Sequence, residues 1–300
     1  YDQIIEDLTF AEEHLPLRSE YSASDEGRIN KGAAKILFGK VYLTKGDFQK
    51  AKDKLAEVVE HESEYGFGLH KDYHANWLRD TEAGIEAVLY IEYKEPPFQH
   101  NGEMALAGPK YSIPGSLGIS ALNEADIPTQ ELYDQFDNRD LRKKTNFKTE
   151  FAHLKTGEIL KSSIPLSGKF WVEGLETGDR CDVNMHIIRY ADAILMYAEA
   201  LNELGASTYQ IPSWDGTQSY DISRDKNEMS YAISRVRIRG GVPDFGSDVY
   251  ENADEFRKHL KHERQIELFA ENSRYFDLRR WKDAEYEESQ QMYGCNAYMS

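Results

Sequence analysis

The sequence predicts a mainly α fold: a tetratricopeptide-like helical repeat scaffold with long irregular loops and a few short strands. Three observations lead there. Apolar residues recur at three- and four-residue spacing in several long segments, as one face of a helix requires. Two pairs of these segments turn or stop at glycines. Between the pairs run stretches rich in Pro, Gly and aromatic residues that keep no helical period.

Residues 3 to 15 place Ile4, Ile5, Leu8, Ala11 and Leu15 on one face and stop before Pro16, which cannot continue a helix. Residues 29 to 61, INKGAAKILFGKVYLTKGDFQKAKDKLAEVVEH, follow the tetratricopeptide spacing of about 34 residues. Phe38, Gly39, Tyr42, Ala51 and Leu55 stand at its Leu, Gly, Tyr, Ala and Phe positions, and the chain turns at Lys45-Gly46-Asp47. The small residues let two antiparallel helices touch, and the aromatics fill the gaps that remain. The final Pro of the pattern is missing.

Residues 85 to 93, IEAVLYIEY, read as a strand, and residues 96 to 120 as an irregular Pro/Gly-rich segment. From 187, IIRYADAILMYAEALNELG puts Ile188, Ala191, Leu195, Ala198 and Leu201 on one stripe and stops at Gly205. Its partner, EMSYAISRVRIRGG, ends at Gly240 and Gly241. The stretch between them, ASTYQIPSWDGTQSYDISRDKN, reads as a long loop on a rigid scaffold, where binding residues tend to sit. A third long helix is expected from about Ala253 to Asn272.

The 300 residues carry 53 acidic and 36 basic side chains, a net charge of −17, which argues against a nucleic-acid partner. The two cysteines, Cys181 and Cys295, form no CxxC motif, and no stretch approaches the ~18 apolar residues of a membrane span. The chain opens on YDQIIEDLTF, which is not a signal peptide. Nucleotide, P-loop and nucleophile-elbow motifs are absent, so no cofactor is expected. His259 and His262 are flanked by lysines and do not form a zinc pattern. Asp221, Ser223, Asp225 and Asn227 alternate like part of a calcium loop, without its central Gly and terminal Glu.

Glu263, Glu267 and Glu271 repeat every four residues and continue the apolar stripe of Phe256 and Leu260. A glycosidase would need two carboxyls facing each other across a cleft, one with a raised pKa. Three on one helix beside many arginines fit an ion-pair network better, with Arg264, Arg274, Arg279 or Arg280 as the expected partners. That leaves the aromatics outside the helices as the binding signal. Tyr, Phe and Trp make 12% of the chain, and sugars present C–H faces that stack on such rings while their hydroxyls need polar side chains. The candidate ligand-binding residues are Trp214, Tyr220, Tyr209, Phe98, Tyr111, Asn101 and Tyr73; Trp77 is assigned to the core.

Three segments in this order, IIRYADAILMYAEALNELG, AISRVRIRGGVPDF and ERQIELFAENSRYFDLRRWKD, resemble the SusD/RagB family of outer-membrane nutrient-binding lipoproteins of Bacteroidetes. The resemblance extends to the repeat pair at 31 to 60 and to the strand near 90. Asp192 stands where the family has Glu, a change that leaves the helix pattern intact. The resemblance implies a non-catalytic surface protein that binds an oligo- or polysaccharide, or in some branches a peptide, and passes it to a SusC-like TonB-dependent transporter. It also implies a lipid anchor and a helical pair ahead of residue 1, further chain after the last block, and a structural role for the Glu/Arg block. One unit over 1–300 is expected, with the helical scaffold in 1–62 and 187–283 and a loop-rich, ligand-facing part in about 63–186 and 206–227. A glycoside hydrolase and a purely protein-binding repeat adaptor are the rival readings.

Overall fold

A computed structural model describes residues 1–94, 101–113, 115–204, 208–212, 219–223 and 226–283. The chain opens with α1 (Asp2–His14), α2 (Lys31–Lys45), α3 (Phe48–Val59) and the single turn α4 (Glu62–Tyr65). A loop-rich part follows with β1 (Ala87–Ile91), α5 (Glu103–Ala107), α6 (Gln130–Asp134), α7 (Arg142–Asn146), β2 (Phe147–Ala152), β3 (Ile159–Ser167) and β4 (Met185–Arg189). Then come α8 (Tyr190–Leu204), β5 (Thr208–Pro212), β6 (Ser219–Ser223), α9 (Lys226–Arg239), α10 (Ser247–Glu251), α11 (Ala253–Glu267) and α12 (Arg274–Trp281). The fold is the tetratricopeptide-like helical scaffold that the periodicity predicts.

The α2–α3 pair forms for the reasons read from its spacing. Asn30 caps α2 by accepting from the Ala33 N–H, and Gly46 ends it at φ 78. Asp47 then caps α3 through the Lys50 N–H, so the turn needs only two residues. Phe38 stacks on Tyr42 with ring centroids 4.7 Å apart. A Cβ on Gly39 would sit 2.6 Å from Leu55 Cγ, which is why the helices require glycine there. Gly39→Leu is expected to cost about 3 kcal/mol by overpacking this seam, read as a lower urea midpoint; an unchanged midpoint would show the seam to be slack.

The largest core joins α2, α3, α8, α9 and α11 through side chains such as Ile36, Leu55, Leu195, Ile233 and Phe256. Helix α8 is buried from Tyr190 to Asn202, on every side rather than along one stripe. It also starts later than its periodicity suggests. Met185–Arg189 is an antiparallel strand against β1, pairing Leu89 with Ile188 and Tyr90 with His186. The β-branched Ile187 and Ile188 suit that strand, and helix begins only at Tyr190.

Two other expectations are revised. The helix from Ala253 ends at Glu267, because the chain turns through left-handed Ala270 (φ 56) and Asn272 (φ 57) before α12. The stretch between α8 and α9, read as loop, holds the hairpin β5–β6, with Tyr209 opposite Ile222 and Ile211 opposite Tyr220. Its segments TYQIP and SYDIS alternate apolar and polar residues, the strand period that reading it as a loop overlooked. The loop-rich part builds small cores of its own, one around Tyr73, Trp77, Met104 and Phe170 and another around Ile113, Leu117, Phe151 and Leu166.

Candidate functional site

The three glutamates of the acidic helix end lie in a sealed ionic lattice. Arg189, at the end of β4, grips Glu271 with Nε at 2.7 Å and Nη2 at 2.8 Å, and reaches Glu267 at 3.0 Å. The same guanidinium pairs with Glu86. Arg239 donates to Glu86 at 2.7 Å and also pairs with Glu267. Arg142 holds Asp140 at 2.7 Å and Glu267 at 2.9 Å, and bonds Glu263, which Arg237 reaches from α9 at 2.6 Å. Lys169 completes the set, donating to Glu271 at 2.6 Å. Among the described residues the lattice thus joins five carboxylates to five cations.

Burial alone would push the Glu267 carboxyl up, yet the charges of Arg239, Arg189 and Arg142 hold it at about 2. Burial also opposes ionisation of Glu86 and Glu271, and neighbouring cations again win, keeping both below the usual carboxylate range. Burial pulls Lys169 down to about 8 despite Glu271. A general acid needs access to a substrate and a raised pKa. Glu86 and Glu267 are 0% exposed and Glu267 is held low, so these carboxylates are built to stay charged and hold elements together. Glu86, Arg142, Lys169 and Arg189 come from the loop-rich part and its boundary, whereas Arg237, Arg239, Glu263 and Glu267 come from α9 and α11. The lattice clamps one to the other.

The glutamates are paired as expected, but of their expected partners Arg264, Arg279 and Arg280 bond elsewhere. Arg264 and Arg280 serve a second buried network around α8. Asp192 takes Lys40 at 2.9 Å and Arg264 at 2.8 Å, and Arg264 holds Asp277 at 2.8 Å. Arg280 and the Trp281 indole donate to Glu199 at 2.7 Å. Arg279 donates to the Tyr275 hydroxyl at 2.9 Å. The true partners Arg142 and Lys169 lie about a hundred residues from the glutamates they meet, beyond the reach of local spacing.

The aromatic candidates separate into three groups. Tyr73 is a core ring, not a ligand face: it is 3% exposed, with its hydroxyl 2.9 Å from Asn146 Oδ1 and the Glu267 carbonyl. Lys169 lies over it at 5.3 Å. Asn101 is also removed from the surface, donating to the Val183 carbonyl at 2.9 Å while its Oδ1 accepts from the Glu103 N–H. Both residues carry polar groups that the core needs to satisfy. Trp77 packs in the core, as expected.

Tyr111 has the opposite placement, 75% exposed on the segment between α5 and α6. Tyr209 and Tyr220 lie on the β5–β6 hairpin at diagonal positions of one face, as the register dictates. The hairpin backbone lies against α9. Phe98 and Trp214 fall outside the described residues. Asp221 and Ser223 stand on β6, Asn227 lies in α9, and Asp225 also lies outside the description. Among the described residues no three His, Cys, Asp or Glu side chains come together as a metal site, and no helix is long and apolar enough to cross a membrane.

One surface feature was not anticipated. Tyr275 and Phe276 are 55% and 64% exposed, edge to face at 5.6 Å. They border a cleft of about 440 Å³ lined also by Glu103, Asp126, Gln265 and Asn272. Two adjacent aromatics in the first turn of the charged helix α12 were the available signal.

Fold and site together define a helical-repeat protein with two buried ion-pair networks and a loop-rich part that presents the exposed ring of Tyr111. A model of the SusD family matches residues 161–300. SusD-like protein P2 of Formosa agariphila is 27% identical over 94% of this chain and 56% of its own length. A SusD superfamily protein from Parabacteroides distasonis superposes with a TM-score of 0.72 at 24% identity, covering 92% of this chain and 56% of that one. A structure described as a laminarin binding SusD-like protein gives 0.70 at 24% identity, over 99% and 64%. The chain is thus similar to SusD-like proteins along nearly its whole length, and the SusD family model covers its C-terminal part. It spans about half the length of the curated relatives it matches.

Proposed function

We propose that this chain is the glycan-binding part of a cell-surface import protein, non-catalytic, which passes an oligo- or polysaccharide to a TonB-dependent transporter. The observation that carries the reading is Tyr111, a 75% exposed ring whose backbone N–H donates to the buried Glu124 carboxylate. A sugar face stacks on such a ring at little entropic cost, because the ring has few torsions to freeze. Tyr209 and Tyr220 on the hairpin, Trp214 in its connection, and Phe98 are the further proposed contacts. The similarity to a laminarin-binding protein supports a polysaccharide ligand, and the family supports placement at the outer membrane through an N-terminal lipid anchor.

Native affinity gels containing laminarin, starch, xylan or mannan test this. The chain is expected to be retarded by one of them without releasing reducing ends. Trp214→Ala/Tyr220→Ala is expected to abolish that retardation. Retention unchanged in the double variant would remove the hairpin from the site. Heat from casein peptides with silence from all four glycans would move the ligand class to peptides, and cleavage products would restore the hydrolase reading.

A further inference from the structure

Three backbone amides of the segment bearing Tyr111 converge on a buried carboxylate about a dozen residues further along the chain. Glu124 Oε2 accepts the backbone N–H groups of Lys110 at 2.6 Å and Ser112 at 3.0 Å, and that of Tyr111 between them. Three consecutive amides converging on one ionised oxygen are charge-assisted donors, stronger than neutral backbone bonds. Glu124 is 8% exposed, so water competes little for that oxygen.

Glu124 is itself fixed from behind. The N–H groups of Asn123, Ala125 and Asp126 bond to the carbonyls of Ala105 and Leu106 in α5, at 2.8, 2.7 and 3.0 Å. Glu124 and Ala121 sit at φ 52 and 57, in the left-handed region that side chains other than glycine rarely occupy. Such backbone persists only where surrounding bonds over-determine it, and it is common where a site must be held ready. On the far side Ser163 N–H bonds the Ser112 carbonyl at 3.0 Å, tying the segment to β3. The Lys110 ammonium stands over the Tyr111 ring at 5.3 Å.

We propose that Glu124 is a positioning residue, whose carboxylate locks the Lys110–Ser112 backbone so that the Tyr111 ring meets the glycan already oriented. This rests on the reading of Tyr111 as a ligand contact. Glu124 touches no ligand; it removes the conformational freedom that Tyr111 would otherwise lose on binding.

Two measurements on the 300-residue chain test the lock and its consequence. Glu124→Gln is expected to speed hydrogen exchange of the Lys110, Tyr111 and Ser112 amides by about tenfold, the loss of one charge-assisted bond network, while the amides of α8 stay protected. Unchanged exchange at those three amides overturns the lock. The second is a double-variant cycle, titrating whichever of laminarin, starch, xylan or mannan retards the native chain. Tyr111→Ala is expected to weaken binding about tenfold, as for one lost aromatic contact, and Glu124→Gln about threefold. Because Glu124 acts through Tyr111, the double variant should bind no worse than Tyr111→Ala alone. Additive losses overturn the positioning role. A Tyr111→Ala chain that binds like the native one, or failure of all four glycans, overturns the Tyr111 reading and the positioning role with it. A Tyr111 effect beside a silent Glu124→Gln overturns the positioning role alone.

Discussion

Glu267→Ala is expected to lower the melting temperature by roughly 10 °C, because breaking a buried ion pair by removing one partner costs about 3–5 kcal/mol in a domain of this size. The side chain touches three guanidiniums, those of Arg142, Arg189 and Arg239, and all of them stay buried when it is gone. The penalty is that of uncompensated cations in a low-dielectric interior, not the modest net value of the intact pairs. Glu267→Gln keeps some hydrogen bonding and should fall between. Calorimetric melting of the two variants checks the order. Retardation in the glycan gels should be unaltered for the folded variant; a loss of ligand affinity with an unchanged melting temperature would reverse the assignment and make Glu267 a functional group.

Acid is expected to unfold the chain steeply below about pH 4.5, the ordinary range of an exposed carboxylate. Glu267, held at about 2, and Glu86, Glu271 and Asp192, all held low by facing cations that outweigh burial, bind protons more readily unfolded than folded. Their stabilisation is therefore complete above the unfolded pKa and disappears as the pH falls through the folded values. Glu82 acts in the opposite sense. Burial pushes its carboxyl up to about 7, so the folded state binds its proton more tightly and some stability is lost between about pH 4.5 and 7. Melting temperature measured from pH 3 to 7 should rise sharply to about 4.5 and then flatten or decline gently. A level profile down to pH 3 would show that the lattice is not charged in the way described.

The lattice also shows where sequence reading stops. The role of the Glu263–Glu271 row was legible, because acids that continue an apolar stripe must be buried and a buried acid must be paired. The identity of the partners was not, since Arg142, Lys169 and Arg189 meet α11 only through the tertiary fold. Tyr73 shows the same limit in reverse. An aromatic in a loop-like, His-rich stretch looks available to a ligand, yet its ring packs between Trp77 and the lattice cations. Asp192 reads as an inconsequential change within a helix, but it bridges Lys40 and Arg264 across the core.

The sequence by itself determined the helical scaffold and the α2–α3 seam, because helix periodicity, caps and small-residue contacts act over a few residues and are written locally. It also determined that the acidic row is structural. Only the tertiary structure decided where helix gives way to strand at Arg189 and where α11 turns at Ala270. It alone showed which cations complete the lattice and that, of the candidate ligand residues, Tyr111 stands out in solvent while Tyr73 and Asn101 are buried. Those outcomes depend on partners far apart in the chain, whose meeting sets the free energy of burial and ion pairing.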